Sequence, residues 1–483
     1  MQHKTPILEA LLEYHRQGTV RFHMPGHKGG PGADPILRHG LGGKALALDV
    51  TGVEGMDDLH QPTGIIREAQ ELASMAFGAD HSFFLVNGTS AGVHAMILSA
   101  CNPGDKLLVP RNVHKSILGG IILSGARPVF MQPVIHRELG IAMGLTPGEV
   151  ESCLARHPDT RGVLVVSPTY YGVTSNIRAI AEVVHRRSLP LLVDEAHGPH
   201  FHFHPRLPTP ALEAGADACA QGVHKILGGL TQSSILHVKG RRIDVSRLKA
   251  VLRTIQSTSA SYLLLASLDA ARRQMAIHGR ELLDRALELA EKARSGVNAI
   301  EGLYCFGEEV TGLPGAHELD LTKVTITVRG LGLTGHRVEG ILRYTYNIQV
   351  ELSDLYNVLC IIGPGNTADE VERLLGALAE ISRSNSRNRA LSLPETEVLP
   401  PIPEQCLPPR EAFFSPSTSV ELEQSAGRVC AEVVTCYPPG IPLLCPGELI
   451  TREVIEHLCL VRRAGARLQG LEDPSLRTIR VLS

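Results

Sequence analysis

From about residue 65 to residue 240, short continuous apolar runs alternate with stretches whose apolar positions recur at helical spacing. Phe83-Phe84-Leu85-Val86, Lys106-Leu107-Leu108-Val109, Val163-Leu164-Val165-Val166 and Leu191-Leu192-Val193 do not alternate polar with apolar residues. Uninterrupted runs of this length predict strands covered on both faces. A helical pattern follows each run, the first from Ser90, and strands separated by helices predict a mainly parallel sheet. Helical periodicity dominates from about 265 to 300. Strands near 323–328 and 359–362 and a helix over 367–384 then predict a smaller α+β unit.

Breaker residues divide the rest. Residues 1–60 begin as a helix and pass into Arg21-Phe22-His23-Met24-Pro25-Gly26-His27-Lys28-Gly29-Gly30, which excludes regular structure and predicts an arm lying on another surface. The organisation expected is this arm (1–60), a large domain (61–300), a small α+β domain (301–385), a linker (386–409) and a C-terminal domain (410–483). The linker is rich in Ser and Arg and then in proline, at 394, 400, 401, 403, 408 and 409.

Composition narrows the classes of function. With 47 basic against 50 acidic residues the 483-residue chain has a net charge of -3, which offers no general basic field for nucleic acid or anionic lipid. No apolar run approaches the roughly 20 residues of a membrane span, and the N-terminus shows no signal-peptide core. Ten scattered cysteines without a Cys-x-x-Cys pair read as reduced thiols of a cytoplasmic protein. Trp is absent and aromatics are 4%, which argues against a stacking platform for sugars or single strands.

The candidate chemistry centres on Lys225, in Gly222-Val223-His224-Lys225-Ile226-Leu227-Gly228-Gly229. Apolar flanks would desolvate its amine and make it nucleophilic. Asp194, 31 positions earlier, ends the run Leu191–Val193, and Gly88-Thr89-Ser90 stands at a strand-to-helix transition, where helix amides and hydroxyls bind anions. A lysine, a buried carboxylate for a pyridinium nitrogen and a phosphate cup are the requirements of pyridoxal 5'-phosphate. His114 could stack on such a ring opposite Ala196, and His224 adjoins the lysine. Each has a plainer alternative: a surface lysine, an N-cap, a loop-capping carboxylate, a structural histidine. His197, His200, His202 and His204 suggest a metal, but no second ligand set has suitable spacing, and no metal is expected.

A wider string of motifs is more specific. RFHMPGHKG (21–29), MDDLH (56–60), PRNVHKS (110–116), SPTYYG (167–172), VDEAHG (193–198), STSASYLLLAS (257–267), ELSDLYNVL (351–359) and YPPGIPLLCPGE (437–448) resemble the bacterial ornithine/lysine/arginine decarboxylase family over nearly the whole chain. The resemblance is strongest to its short biosynthetic arginine-decarboxylating members. It implies a fold-type I, PLP-dependent transferase-like architecture, a mainly parallel seven-stranded sheet flanked by helices, with small and C-terminal α+β domains. It also implies that Lys225 bonds the cofactor, Asp194 pairs with its nitrogen, Gly88, Thr89 and Ser90 hold the phosphate, His114 stacks on the ring and His224 lies beside the lysine. Ser257 and Thr258 would reach the phosphate of a second subunit, which makes a homodimer or higher oligomer with the active site at the interface. Lys225, His197 or His224 would protonate the α-carbon after loss of carbon dioxide. The expected substrate is a small amino acid, arginine before lysine or ornithine, with Glu448 first, then Asp354 or Asp57-Asp58, receiving the guanidinium. An aminotransferase and a silent sensor are the other readings. The family has Ser-Thr where this chain has Gly222-Val223, which leaves the phosphate contact on that side to backbone amides or partner hydroxyls.

Overall fold

The computed structural model describes residues 1–385, 400–437, 441–463 and 465–483. A seven-stranded sheet forms its centre: β1 (His81–Leu85), β2 (Lys106–Pro110), β3 (Arg127–Met131), β4 (Thr160–Val166), β5 (Leu191–Asp194), β6 (Ala218–Gln221) and β7 (Ser234–Val238). Their spatial order is β1-β7-β6-β5-β4-β2-β3. Neighbours from β6 to β3 pair in parallel, while β7 runs antiparallel to both β6 and β1. The reversal of β7 was not visible in the sequence, because an apolar run carries no direction.

Successive side chains of a strand face opposite ways, so a strand buried on both faces needs an apolar residue at every position. In β5, Leu192 packs with Met96 and Ile97 of helix Gly88–Ala100, whereas Leu191 and Val193 pack with Ile180 and Val184 of helix Ile177–His185. All three strand residues are fully buried.

The N-terminal segment departs from a single arm. Pro6–Arg16 is a helix whose Ile7 and Leu11 pack with Leu265, Leu268 and Met275 of the long helix Tyr262–Asn298. The Ile7 amide also donates to the buried Asp269 carboxylate at 3.0 Å. Apolar residues four positions apart share one helix face, and that face ties the first sixteen residues to the large domain. Only the stretch beyond them keeps the character of an arm, with Val20, Phe22 and Met24 exposed.

The 37-residue helix Tyr262–Asn298 serves two cores. Its first half packs in the large domain, and Ala290, Ala293 and Val297 pack under a four-stranded antiparallel sheet in the order Tyr304–Cys305, Lys323–Thr327, Asn357–Ile361, Leu352–Ser353. Helices Gly335–Tyr344 and Ala368–Asn385 complete that small domain. Of the expected linker, residues 386–399 lie outside the described residues. The C-terminal domain pairs Ser417–Glu421 with Thr478–Leu482, sets Val434–Tyr437 between Ile441–Leu444 and Arg467–Gln469, and packs helix Arg452–Arg463 through Val454, Ile455 and Leu458. No helix among the described residues is long and apolar enough to cross a membrane.

Candidate active site

A cavity of about 300 Å³ opens beyond the carboxyl ends of the parallel strands, where ligands of such sheets bind. The volume suits a small molecule. Three strand ends bring its principal groups together.

β1 delivers the first. After Leu85 the chain turns through Gly88, whose φ of +72° is costly for any residue with a Cβ, and enters helix Gly88–Ala100. Gly88, Thr89 and Ser90 line the cavity on this helix's first turn, where backbone N–H groups lack partners within the helix and attract an anion. The Thr89 and Ser234 hydroxyls lie 2.9 Å apart, and Thr231 and Gln232 close the same end.

β5 delivers the second. Asp194 is 5% exposed, and its Oδ1 accepts from the Ala196 amide at 3.2 Å. Burial pushes its carboxyl above the ordinary range, opposed by the charge of Lys225 and by that amide. A carboxylate so placed would bind a pyridinium nitrogen and exchange a buried, poorly compensated charge for an ion pair.

Lys225 follows β6 on the short helix Val223–Ile226. Burial depresses its pKa against the pull of Asp194 and Glu351, so the amine form needed for attack on an aldehyde is favoured. Its Nζ lies 2.8 Å from His197 Nε2 and 5.7 Å from the centre of the Tyr170 ring. Burial, helped by both Lys225 and Lys323, holds His197 well below the usual histidine range.

The other two histidines are also neutral. His114 accepts the Ser116 amide at Nδ1 and caps helix Lys115–Ser124, and burial with the nearby Lys225 charge lowers it to about 4. His224 donates from Nδ1 to the Ser233 carbonyl at 2.9 Å and is lowered by burial. His114 and Ala196 both line the cavity, as walls for a flat ring. The group implied by these residues is therefore one with an aldehyde, an aromatic nitrogen and a phosphate, and the donor set present fits all three.

Gly222, where a hydroxyl was missed, has a steric reason to lack one. A Cβ there would stand 2.9 Å from the Ala196 carbonyl and 3.1 Å from Thr89 Oγ1. Val223 is buried in the core beneath the site.

Several expected residues lie elsewhere. Glu448 is corrected most clearly: it is fully buried in a two-pronged ion pair with Arg111, Oε1 to Nη1 at 2.5 Å and Oε2 to Nη2 at 2.9 Å, and also accepts the Cys445 amide. It fastens the C-terminal domain to the segment after β2, with its charge already paired, and it does not line the cavity. Asp354 is likewise occupied by the Tyr171 hydroxyl, the Asn357 side chain and two backbone amides. Asp57 accepts the amides of Asp58, Thr63, Gly64 and Ile66, and Asp58 that of His60. Ser257 and Thr258 are exposed in the loop before the long helix, outside the cavity of their own chain. The four histidines that suggested a metal take separate partners: His200 faces Asp320, His204 faces Asp284, His197 faces the two lysines, and His202 meets the Phe203 ring edge-on with centroids 5.7 Å apart.

Three groups escaped the sequence reading of the site. Tyr170 packs against His197 with ring centres 4.8 Å apart and the planes tilted by 59°. Lys323, from the small domain, lies 3.2 Å from His197 Nδ1 and is 1% exposed. Glu351 is exposed and outside the cavity lining, and its charge pulls Lys225, Lys323 and His224 upward alike. A lysine opening a strand that is otherwise Val, Thr, Ile and Thr was the local sign of Lys323.

The chain is similar to proteins already known. Residues 5–370 match the family profile described as Orn/Lys/Arg decarboxylase, major domain, and residues 396–475 match its C-terminal domain. An arginine decarboxylase of Bacillus subtilis is 47% identical over 481 residues, which cover 100% of this chain and 98% of the relative. Among solved structures, a lysine decarboxylase of Francisella novicida superposes with a TM-score of 0.84 at 22% identity, covering 100% of this chain and 81% of that one. A serine palmitoyltransferase of Sphingomonas wittichii shares the fold more distantly, with a TM-score of 0.55 at 15% identity, covering 80% of this chain and 87% of the other. The chain belongs to the ornithine/lysine/arginine decarboxylase family.

Proposed function

We propose that the protein is a pyridoxal 5'-phosphate-dependent arginine decarboxylase that forms agmatine and carbon dioxide. The observation that carries the reading is the cavity in which Lys225, Asp194 and Gly88-Thr89-Ser90 meet, in a chain 47% identical over its full length to an arginine decarboxylase. The cofactor, when bound, supplies the electron sink for the carbon–carbon bond that breaks. Lys225 would hold it covalently, Asp194 would keep its ring nitrogen protonated, His114 and Ala196 would flank the ring, and Gly88, Thr89 and Ser90 would take the phosphate. A neutral His114 and a neutral His224 leave the carboxylate end of the substrate without a fixed cation from these two rings. That favours departure of the carboxylate as neutral carbon dioxide. Lys225, assisted by His197, is placed to protonate the α-carbon.

With Glu448, Asp354 and Asp57 occupied, Glu351 is the carboxylate for the distal guanidinium. It is exposed, its field reaches Lys225, and a carboxylate can bind a guanidinium through two parallel hydrogen bonds. The exposed Ser257 and Thr258 reach the cofactor phosphate of a second copy, which makes a homodimer the minimal active unit. The ten unpaired cysteines suit a reducing cytoplasm.

Incubating the protein with arginine, lysine and ornithine separately, then identifying the amine, tests the reading. Agmatine from arginine is expected, and cadaverine or putrescine as the main product would reassign the substrate. Borohydride should fix a pyridoxyl group on Lys225. Glu351→Gln should raise KM for arginine about tenfold or more with a smaller change in kcat, and an unchanged KM would remove Glu351 from this role.

A further inference from the structure

Two lysines reach the same imidazole. His197 Nε2 lies 2.8 Å from Lys225 Nζ, and His197 Nδ1 lies 3.2 Å from Lys323 Nζ. His197 is 4% exposed and Lys323 1% exposed, so water does not separate the charges. A neutral imidazole has one donor and one acceptor nitrogen, and an ammonium can only donate. The ring can accept from one ammonium only. The other lysine must meet the ring's N–H with a lone pair, as a free amine.

We propose that Lys323 and Lys225 share a single proton through His197, so that Lys323 keeps Lys225 an amine while it must attack and passes the proton on when the α-carbon must be protonated. With Lys323 charged, its N–H donates to Nδ1, and Nε2–H donates to the lone pair of Lys225. Moving the Nε2 proton to Lys225 and a Lys323 proton to Nδ1 leaves Lys225 an ammonium, Lys323 an amine and His197 the other neutral tautomer. No net charge is created inside the site. The Lys225 proton then goes to the substrate's α-carbon, one proton consumed for each carbon dioxide released, and the lysine pair regains one proton from solvent when the cavity opens to release product, before the next turnover. This last step rests on the decarboxylase reading; the shared proton does not.

The surroundings suit the exchange. Burial lowers Lys323 to about 8, near working pH, while Asp320 and Glu351 pull it up and Lys225 pushes it down. Asp320 is itself fully buried between His200 Nε2, at 3.1 Å, and the Thr322 hydroxyl, at 2.6 Å. Lys225 faces Asp194 and Glu351, and His114 and His200 are the other titratable groups around His197. Lys323 acts through His197 and is therefore a positioning residue.

Attachment of pyridoxal phosphate to the cofactor-free protein, followed by absorbance and fixed on Lys225 by borohydride, reads the amine fraction of Lys225 without turnover. Lys323→Met removes the charge and frees Nδ1, so Nε2 can accept from a charged Lys225. Attachment at about pH 7 should slow about tenfold and recover at about pH 10. Lys323→Arg keeps charge and donor but cannot release a proton: attachment should stay within about twofold of the unaltered protein, while kcat falls at least about tenfold with KM little changed. Full stoichiometric attachment at high pH shows that each variant is folded. Attachment of Lys323→Met at the unaltered rate near pH 7, or full kcat in Lys323→Arg, would overturn the proposal. If the unaltered protein released no carbon dioxide from arginine, the functional reading would fall, and the attachment profiles would still decide the lysine pair.

Discussion

Gly222 shows how much of this site is decided by one missing atom. The Gly222 amide donates to the Ala196 carbonyl at 3.1 Å, and the same approach leaves 2.9 Å between that carbonyl and any Cβ at 222. Neither neighbour can yield cheaply, since one is backbone beside Asp194 and the other is Thr89, held against the Ser234 hydroxyl on the turn proposed to take the phosphate. Gly222→Ala should therefore push apart the carboxylate and phosphate ends of the cavity. Overpacking of this kind costs about 1–3 kcal/mol, which predicts about tenfold weaker retention of pyridoxal phosphate, read by dialysis or by titrating the cofactor-free protein. Its φ of -89° is open to alanine, so the effect comes from contact and not from backbone strain. The histidines make a second point at this scale. Their sequence neighbours looked alike, yet His114 is set by a helix cap, His224 by a carbonyl and His197 by two lysines.

Among the elements, the segment after β2 carries both a wall of the site and its anchor to another domain. Arg111 precedes His114 by three residues and holds Glu448 of the C-terminal domain, with further bonds to the Leu443 carbonyl and the Cys445 sulfur. A buried ion pair adds little over apolar packing, but removing one partner leaves the other charge stranded. Glu448→Gln should cost about 3 kcal/mol or more in stability, measured by denaturant unfolding. The KM for arginine should stay within about twofold, because the carboxylate makes no substrate contact. A large rise in KM without loss of stability would restore Glu448 to the substrate site. The long helix Tyr262–Asn298 couples domains in a different way, by packing one half in each of two cores, and so supports the sheet from which Lys323 reaches His197.

Across the whole molecule, the central sheet carries a polar line beneath the site. Ala211 N and Gln221 Nε2 each donate to Glu195 at 2.8 Å, His237 faces Gln221 at 3.2 Å, and Ser82 faces His237 at 2.7 Å, so the line crosses from β5 to β1. Burial raises Glu195 from an ordinary 4.5 to about 7. A carboxyl raised in the folded state binds its proton more tightly there than when unfolded, so its stabilising effect is complete below about pH 4.5 and is lost as pH rises through 7. Glu195→Gln removes that loss. The variant should gain on the order of 3 kcal/mol over the unaltered protein on going from pH 5 to pH 8, read as the difference between two unfolding curves at each pH, which cancels the contribution of His237. The mainly parallel sheet, the strand ends and the meeting of Lys225 with Asp194 in one cavity were legible in the chain alone, because each rests on local signals: continuous apolar runs, turn residues and motifs spaced along neighbouring strands. Which carboxylates are spent and which face the cavity was not. Glu448 finds Arg111 from 337 positions away, and Lys323 finds His197 from 126. Local pattern determines which segments become strand or helix. The charges left available for chemistry are decided only when packing brings distant segments together, because a buried ionisable group is defined by its partners.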